Sequence, residues 1–218
     1  LTAFPTPSLP GARVVGMPMA RSITQPAEKV TAGVARSHFG LSPRKKTLVV
    51  TGGSQGARHI NSTIAALVPT VLQAGWQVLH IVGAKNPVPE SMPAGYVGLP
   101  YCDRMDLAFA AATAVISRAG SATVSEIQLL GIPAIFVPYP VGNGEQEKNA
   151  ADSFSAGAAV LVRDADFTPE NVAVTVWPLL QDDAALKRMK SQAAGLGRRD
   201  AALQMALTVM GTLQNGQK

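Results

Sequence analysis

The sequence contains a single cysteine, Cys102, so it can form neither an internal disulfide nor a multi-cysteine metal site. Aromatic residues make up only 5% of the chain, which argues against stacking platforms for single-stranded nucleic acid. No apolar run reaches the length of about 20 residues that a membrane-spanning helix needs. Residues 1–5 have neither an initiator Met nor a basic region before an apolar stretch, so we expect no signal peptide here and a chain cut from a longer one.

Hydrophobic residues, by contrast, make up 47% of the 218 residues, and charged residues only 15%. This balance provides enough apolar surface for a buried core and excludes a disordered chain. The formal net charge is +5, but the basic residues are dispersed, and the densest runs are 44–46 and 198–199. Because no predicted helix carries a continuous Lys/Arg stripe, we predict no nucleic-acid partner. An anionic membrane surface and a phosphorylated substrate remain as explanations of the charge.

Short apolar segments alternate with helical patterns along most of the chain. This alternation predicts an α/β fold, a Rossmann-like parallel sheet with helices on both faces. The predicted strands are 13–16, 46–51, 76–82, 96–99, 114–117, 133–137 and 158–162. The predicted helices are 26–39, 57–73, 105–112, 120–130 and 145–155, followed by a helical region beyond 168 with a break at Pro178. We expect residues 1–11 to form an extended segment leading in from a preceding domain, 12–213 to form the ligand-binding domain, and 214–218 to fray.

Ligands bind such a sheet beyond the carboxyl ends of its strands, so the loops there are the candidate sites. The first is the loop 52–57, Gly-Gly-Ser-Gln-Gly-Ala, between a strand and a helix. Its glycines let backbone N–H groups approach a ligand, and the helix N-terminus adds partial positive charge. The loop matches neither a Walker loop nor the dinucleotide fingerprint. It is therefore either a phosphate cradle or a tight turn without a ligand.

The second loop, 118–126, also follows a strand and opens a helix. Thr123 and Glu126 have the spacing of a capping box, and Ser121 is an alternative N-cap. In the alternative interpretation, two glycine-containing helix N-termini of one sheet converge on a single diphosphate. A carboxylate one turn into the second helix could then accept both hydroxyls of a ribose.

The third loop, 138–150, carries Glu145, Gln146 and Asn149 at the start of a predicted helix. Such side chains suit sugar hydroxyls, but they are equally typical of an exposed loop with helix caps. The three histidines, His38, His59 and His80, lack metal-ligand spacing, so each is interpreted as a surface or core residue and no metal is predicted.

Taken together, in order and spacing, the loops closely resemble one family. It comprises the UDP-N-acetylglucosamine–N-acetylmuramyl-(pentapeptide) pyrophosphoryl-undecaprenol N-acetylglucosamine transferases of peptidoglycan synthesis, known as MurG. The matching segments are 15–18, 52–57, 118–126, 142–146 and 149–150, and the resemblance spans about residues 12–180.

The resemblance implies a glycosyltransferase B fold, with two Rossmann-like halves on either side of a cleft. This sequence resembles the C-terminal half, which binds the donor UDP-N-acetylglucosamine in the inverting reaction that converts lipid I to lipid II. The catalytic residues and most of the lipid-acceptor site are expected in the N-terminal half, so this chain alone is expected to be inactive. The resemblance further implies no cofactor and a cytoplasmic location, with peripheral membrane contact by the full-length protein.

The same resemblance assigns roles to individual residues. Ser54 would contact the donor diphosphate, Glu126 would hold the ribose, and Cys102 would contact the uracil edge through its backbone. Glu145 and Gln146 would contact the N-acetylglucosamine hydroxyls. The full set of substrate-binding residues implied in this way is Arg21, Ser54, Gln55, Gly56, Cys102, Arg118, Gly120, Ser121, Ala122, Thr123, Glu126, Glu145 and Gln146.

Near the N-terminus the sequence departs from the family pattern. The family usually has Gly-Asn-Pro-x-Arg there, with the arginine near the donor phosphates, whereas this sequence has Gly-Met-Pro-Met-Ala-Arg at 16–21. Ala20 occupies the arginine position, and Arg21, one residue later, is the candidate to replace it.

Three other functions compete with a transferase half. A UDP-N-acetylglucosamine 2-epimerase half would share the architecture but needs acidic and His residues that we cannot place in the cleft. A stand-alone nucleotide-sugar binding module belongs to a different class, and a Gly-Gly-His half upstream would distinguish the transferase from it. A dehydrogenase is the weakest alternative, because its fingerprint and its ribose acid are not found.

Overall fold

The computed structural model describes residues 1–6, 9–25, 30–54, 56–88 and 91–215. Its six strands are β1 (Thr47–Thr51), β2 (Gln77–Ile81), β3 (Tyr96–Leu99), β4 (Ala114–Ser117), β5 (Ala134–Phe136) and β6 (Ala159–Leu161). Its helices are α1 (Arg21–Thr24), α2 (Ala32–His38), α3 (Arg58–Gln73), α4 (Met105–Ala111), α5 (Ser121–Leu130), α6 (Glu145–Ser155), α7 (Pro169–Gln181), α8 (Asp183–Ala193) and α9 (Ala201–Asn215). All strand pairs are parallel, in the order β3-β2-β1-β4-β5-β6. The predicted Rossmann-like α/β fold is confirmed.

The sheet separates two apolar cores, which explains why its central strands are apolar at every position. In β1, Leu48 and Val50 join the core formed with α3, α7 and α8, whereas Val49 joins the core on the opposite face, formed with α4, α5 and α6. All five β1 residues are buried. Burying a Val or Leu side chain fully contributes about 1.5–3 kcal/mol, so both sets of helices are held on the sheet mainly by these contacts.

The order of the strands creates the place for a ligand. From β1 the chain moves outward through β2 to β3, and it then returns to the other side of β1 as β4. The connections that leave β1 and β4 therefore diverge to opposite faces of the sheet, and a crevice opens between them at the carboxyl edge. The loops 52–57 and 118–120 flank this crevice.

The predicted helix ends are confirmed where glycine terminates the helix. Helix α3 buries Ile60, Ile64 and Leu67 along one face, as its periodicity predicts, and the chain turns at Gly75 with φ of 81°. Helix α5 ends at Gly131, whose φ is 64°. Residues other than glycine rarely adopt this left-handed backbone conformation, so each glycine fixes where its helix stops.

Three predicted elements differ in the structure. Segment 13–16 is not a strand, because Val14 forms only an isolated bridge to Thr2. The helix predicted from residue 26 begins at Ala32, and residues 26–29 lie outside the described ones. Pro178 does not break α7. Its ring lies on the exposed side of the last turn, and the helix ends instead at Asp182, whose carboxylate caps α8 by accepting from the N–H groups of Ala184 and Ala185.

The C-terminal helix α9 leaves an apolar face uncovered. Leu203, Leu207 and Met210, spaced four and three residues apart, are each about half exposed. The structure describes this helix through Asn215, so the remainder of the predicted tail, 216–218, lies outside the described residues. Within the described part of the chain, no helix combines the length and hydrophobicity that crossing a bilayer requires.

Candidate functional site

The two glycine loops line one cleft of about 1140 Å³ at the carboxyl edge of the sheet. Its wall is formed by both loops, by the start of α3, by the loop after β2 and by the third predicted loop. The lining residues are Gly52, Gly53, Ser54, Gly56, Ala57, Arg58, His59, Lys85, Asn86, Pro87, Arg118, Gly120, Thr123, Tyr139 and Gln146. The structure thus brings together segments that lie almost 100 residues apart in the chain.

The first loop turns tightly and delivers the N-terminus of α3 to the cleft. The N–H of Gly56 donates to the carbonyl of Gly53 at 2.9 Å, and both glycines have positive φ, 82° at Gly53 and 74° at Gly56. No described side chain caps α3, which leaves its first N–H groups available to an anion. Gln55, predicted to bind substrate, lies outside the described residues.

The second loop presents another uncapped helix start. Helix α5 begins at Ser121, with Gly120 as its N-cap residue and no side-chain cap. Thr123 is therefore the third residue of the helix and Glu126 the sixth. Both the capping-box interpretation and the N-cap role of Ser121 are wrong, because an N-cap residue must be extended and these residues are helical. The N–H groups of Ser121, Ala122 and Thr123 remain without partners among the described residues, as an anion site requires.

A smaller cavity of about 150 Å³ continues from the cleft beyond Ser54 and Thr123, which line both spaces. Cys102 and Glu126 both line it. Burial raises the pKa of the Glu126 carboxyl, and within the described part of the chain this group has no hydrogen-bond or ion-pair partner. Burial also raises the pKa of the Cys102 thiol and keeps it protonated, so the thiol is poorly suited to act as a nucleophile.

The third loop contributes amide side chains that hold the loops in place. The Oε1 of Gln146 accepts hydrogen bonds from the backbone N–H groups of Ala119, at 3.0 Å, and Tyr139, at 2.9 Å. The Nδ2 of Asn149 donates to the carbonyl of Ala119 at 3.0 Å. Gln146 lines the cleft, whereas Glu145 is exposed and lies outside its lining. The predicted sugar contacts of both residues remain predictions.

Arg21 lies outside the linings of both cavities. It is the exposed first residue of α1. Its proposed replacement of the family arginine therefore remains a prediction without support from this arrangement.

Four of the lining residues with charged or polar side chains were not predicted as site residues, and one of them, His59, was interpreted only as a surface or core residue. Arg58 and His59 are the first two residues of α3, and Lys85 and Asn86 follow β2. The first pair had a usable signal, because residues directly after a glycine loop stand in the first turn of the helix that faces the ligand. The second pair had none, since nothing in the sequence after the predicted strand 76–82 indicates which residues face inward. Together with Arg118 they give the cleft a basic rim suited to a polyanion.

A buried polar network fixes the end of β2 against the first loop. The hydroxyl of Tyr96 donates to Nδ1 of His80 at 2.7 Å, and Nε2 of His80 donates to Oδ1 of Asn61 at 3.0 Å. This tautomer follows because the amide of Asn61 donates through Nδ2 to the carbonyl of Val82 at 2.9 Å, which leaves Oδ1 as the acceptor. The carbonyl of Val82 also lies against Gly56, so the network supports the loop 52–57 where it contacts the end of β2.

We expect the stability of the chain to fall on acidification in a way that depends on His80. Burial lowers the pKa of His80 to about 4 from a usual value near 6.5, so the unfolded state takes up the proton first. The stabilisation is complete above pH 6.5 and is lost as the pH falls towards 4, by about 3 kcal/mol in all. Urea unfolding between pH 7.5 and 4.5 measures this change in the free energy of unfolding.

His80→Gln should reduce the dependence of the unfolding free energy on pH, whereas His38→Gln, at an exposed site, should leave that dependence unchanged. Equal slopes in the parent and His80→Gln would contradict the assignment.

Comparison with known proteins gives a consistent result. The model of the glycosyltransferase family 28 C-terminal domain matches residues 47–205. The UDP-N-acetylglucosamine–N-acetylmuramyl-(pentapeptide) pyrophosphoryl-undecaprenol N-acetylglucosamine transferase of Streptomyces avermitilis is 47% identical over 201 residues, which cover 90% of this chain and 55% of that protein. The enzyme of the same name from Nocardia farcinica is 48% identical over 209 residues, 94% of this chain and 55% of its own length. This chain thus spans about half the length of these relatives.

Solved structures support the same fold. The crystal structure of Acinetobacter baumannii MurG superposes with a TM-score of 0.73 at 25% identity, covering 96% of this chain and 59% of that protein. The glycotransferase of kitacinnamycin superposes with a TM-score of 0.63 at 19% identity, over 90% of this chain and 48% of its own. The second similarity concerns the fold alone.

Proposed function

We propose a donor-binding function for this chain, which belongs to the family of glycosyltransferase family 28 C-terminal domains. It binds UDP-N-acetylglucosamine as the donor half of the inverting transferase that converts lipid I to lipid II in peptidoglycan synthesis. One observation carries the proposal. Two helix N-termini without side-chain caps flank one cleft, next to a half-buried carboxylate that has no partner among the described residues.

The diphosphate binds between the starts of α3 and α5. A helix N-terminus carries about half a positive charge and presents free N–H donors, so two of them compensate much of the charge of a diphosphate. Ser54 adds a hydroxyl donor where the cleft narrows into the smaller cavity. During transfer, the acceptor hydroxyl attacks the anomeric carbon, and the bond from that carbon to the diphosphate oxygen breaks. The helix N-termini then stabilise the negative charge that develops on the departing UDP.

The nucleoside occupies the smaller cavity. The carboxylate of Glu126 accepts hydrogen bonds from the two ribose hydroxyls, which gives this buried and otherwise unpartnered group its ligand. The backbone next to Cys102, across the cavity, faces the uracil edge. The N-acetylglucosamine extends the other way, towards the amide of Gln146 and towards Glu145 at the start of α6.

The acceptor side of the reaction belongs to the part of the relatives' length that this chain does not span. Lipid I is anchored in the membrane, so the whole protein works at the cytoplasmic face as a peripheral enzyme. The net charge of +5 is consistent with an anionic surface nearby.

Calorimetric titration of the chain with UDP, UDP-N-acetylglucosamine, ADP and NAD tests the proposal. We expect UDP and UDP-N-acetylglucosamine to bind at least about tenfold more tightly than ADP and NAD, because the proposed backbone contact beside Cys102 is specific for the uracil edge. Equal affinity for all four ligands would indicate an unselective anion cleft and contradict the proposal.

We also expect donor binding to survive a chelator. Among the described residues no group of three or more His, Cys, Asp or Glu side chains could hold a metal ion, and the helix N-termini supply the positive charge instead. The affinity for UDP should therefore agree within about twofold between 5 mM EDTA and 5 mM magnesium. A loss of tenfold or more in EDTA, restored by magnesium or manganese, would show that a metal holds the diphosphate.

A further inference from the structure

His59 occupies an unusual position in the wall of the cleft. It is the second residue of α3, its side chain is 38% exposed, and it lines the cleft beside the glycine loop. Its Nδ1 lies 3.2 Å from Oδ2 of Asp164, a residue of the short 3-10 turn Asp164–Asp166 between β6 and α7. One ring nitrogen is therefore occupied by a carboxylate, and Nε2 is the nitrogen left for a ligand.

Asp164 is also paired with Arg118. Its Oδ1 accepts a hydrogen bond from Nη1 of Arg118 at 2.5 Å, and the two side chains are only 19% and 12% exposed. The same Nη1 also donates to the carbonyls of Val137 at 3.1 Å and Pro138 at 3.2 Å. A carboxylate fixed in this way lies within ion-pair distance of Nδ1 of His59 and favours one orientation of the imidazole.

We propose that His59 is a further donor-binding residue, which donates a hydrogen bond from Nε2–H to the diphosphate, and that Asp164 is its positioning residue. The inference rests on the proposed function, since it names a contact within that same site. In the bound state the imidazole is protonated on both nitrogens and lies between two anions, the carboxylate and the diphosphate. The extra proton comes from solvent and returns to it when UDP leaves.

The charges around the cleft agree with this role. Arg58 on α3 and Lys85 after β2 are the other cationic side chains near His59, while Arg118 is largely neutralised by Asp164. Among the described residues no carboxylate lines the cleft. A dianion entering there meets cationic groups and helix N-termini, and His59, like Arg118, has the partly buried Asp164 as its partner.

Two substitutions of His59 separate the functions of its two nitrogens. Asparagine places its amide nitrogen near Nδ1 and keeps the contact with Asp164, whereas glutamine places its amide nitrogen near Nε2 and keeps a donor for the ligand. We expect His59→Asn to weaken UDP binding about tenfold or more and His59→Gln to stay within about threefold of the parent. Uridine, which has no phosphate, should bind both variants like the parent. His38→Asn is the matched control on an exposed helix.

Nitrogen-15 spectra of the histidine rings provide a second measurement. We expect UDP to move the nitrogen-15 chemical shift of Nε2 of His59 to that of a protonated nitrogen and uridine to leave it unchanged.

A double-mutant cycle tests the role of Asp164. Asp164→Asn should weaken UDP binding in the parent, but in the His59→Asn background it should add less than about a twofold loss of UDP affinity. Additive losses would overturn the positioning role of Asp164.

The outcomes also separate this inference from the proposed function. UDP binding by the parent with unchanged affinity in His59→Asn, or equal losses in the asparagine and glutamine variants, overturns the inference alone. Failure of the parent to bind UDP contradicts the proposed function, and the inference falls with it.

Discussion

Glu126→Gln is expected to weaken UDP binding by about 5- to 150-fold. The carboxylate accepts hydrogen bonds from both ribose hydroxyls in the proposed complex, and exchanging this charged acceptor for a neutral one should cost about 1–3 kcal/mol. The uncharged amide keeps the shape of the side chain but offers one oxygen acceptor in place of two. Calorimetric titration of parent and variant with UDP measures the effect directly.

Glu126→Gln should not lower the stability of the fold. Burial raises the pKa of Glu126, so the folded state resists ionisation more than the unfolded state does, and at neutral pH the charge opposes folding. Removing the charge should therefore leave the melting temperature unchanged or raise it. A variant that melts lower but keeps its UDP affinity would show that Glu126 is structural. Glu145→Gln, at an exposed position outside the cleft lining, is the matched control and should change neither quantity.

Gly56→Ala is expected to destabilise the loop 52–57 and to weaken UDP binding. A Cβ at residue 56 would lie 2.1 Å from the carbonyl oxygen of Val82 and 2.2 Å from Nδ2 of Asn86, and the φ of 74° is itself unfavourable for alanine. The loop must move away from the end of β2, which the His80 network holds in place. We expect a loss of about 2–4 kcal/mol in unfolding free energy and a loss of UDP affinity of at least about tenfold.

The control lies three residues away. Gly53 has a φ of 82°, but a Cβ there would meet no atom within 4 Å. Gly53→Ala thus carries the same conformational strain without the collision, and it should cost only about 1–2 kcal/mol. Urea unfolding and UDP titration of both variants isolate the contribution of the close approach. Equal losses in the two variants would mean that backbone strain, rather than packing against β2, explains the glycine at 56.

The two substitutions act on different features of the proposed site. The proposed site leaves helix ends uncapped and a carboxylate partly desolvated, arrangements that cost folding free energy until a ligand supplies the partners. The two predictions therefore differ in kind. Glu126→Gln removes a binding group whose burial opposes folding, whereas Gly56→Ala destroys a backbone shape on which folding and binding both depend.

Much of this protein was determined by its sequence alone. The alternation of apolar strands with amphipathic helices specified a parallel α/β sheet, because strands covered on both faces must be apolar throughout, and the structure has strands at six of the seven predicted positions. The glycine loops after β1 and β4 could be located from local pattern, since glycine marks the positions where backbone conformation or close approach excludes a side chain. The loop order also carried the family resemblance, which the family model confirms over residues 47–205.

The tertiary structure decided what each side chain in those loops can do. Thr123 and Glu126 have capping-box spacing, yet α5 starts two residues before Thr123, and only the placed helix start shows that Glu126 faces a cavity. The contact between His59 and Asp164 joins residues 105 positions apart, because the turn that follows β6 lies next to the start of α3. Local sequence determines local conformation, because capping, turns and periodicity act within a few residues. The charge environment of a side chain depends on which distant segments pack beside it, and for that reason only the folded chain reveals it.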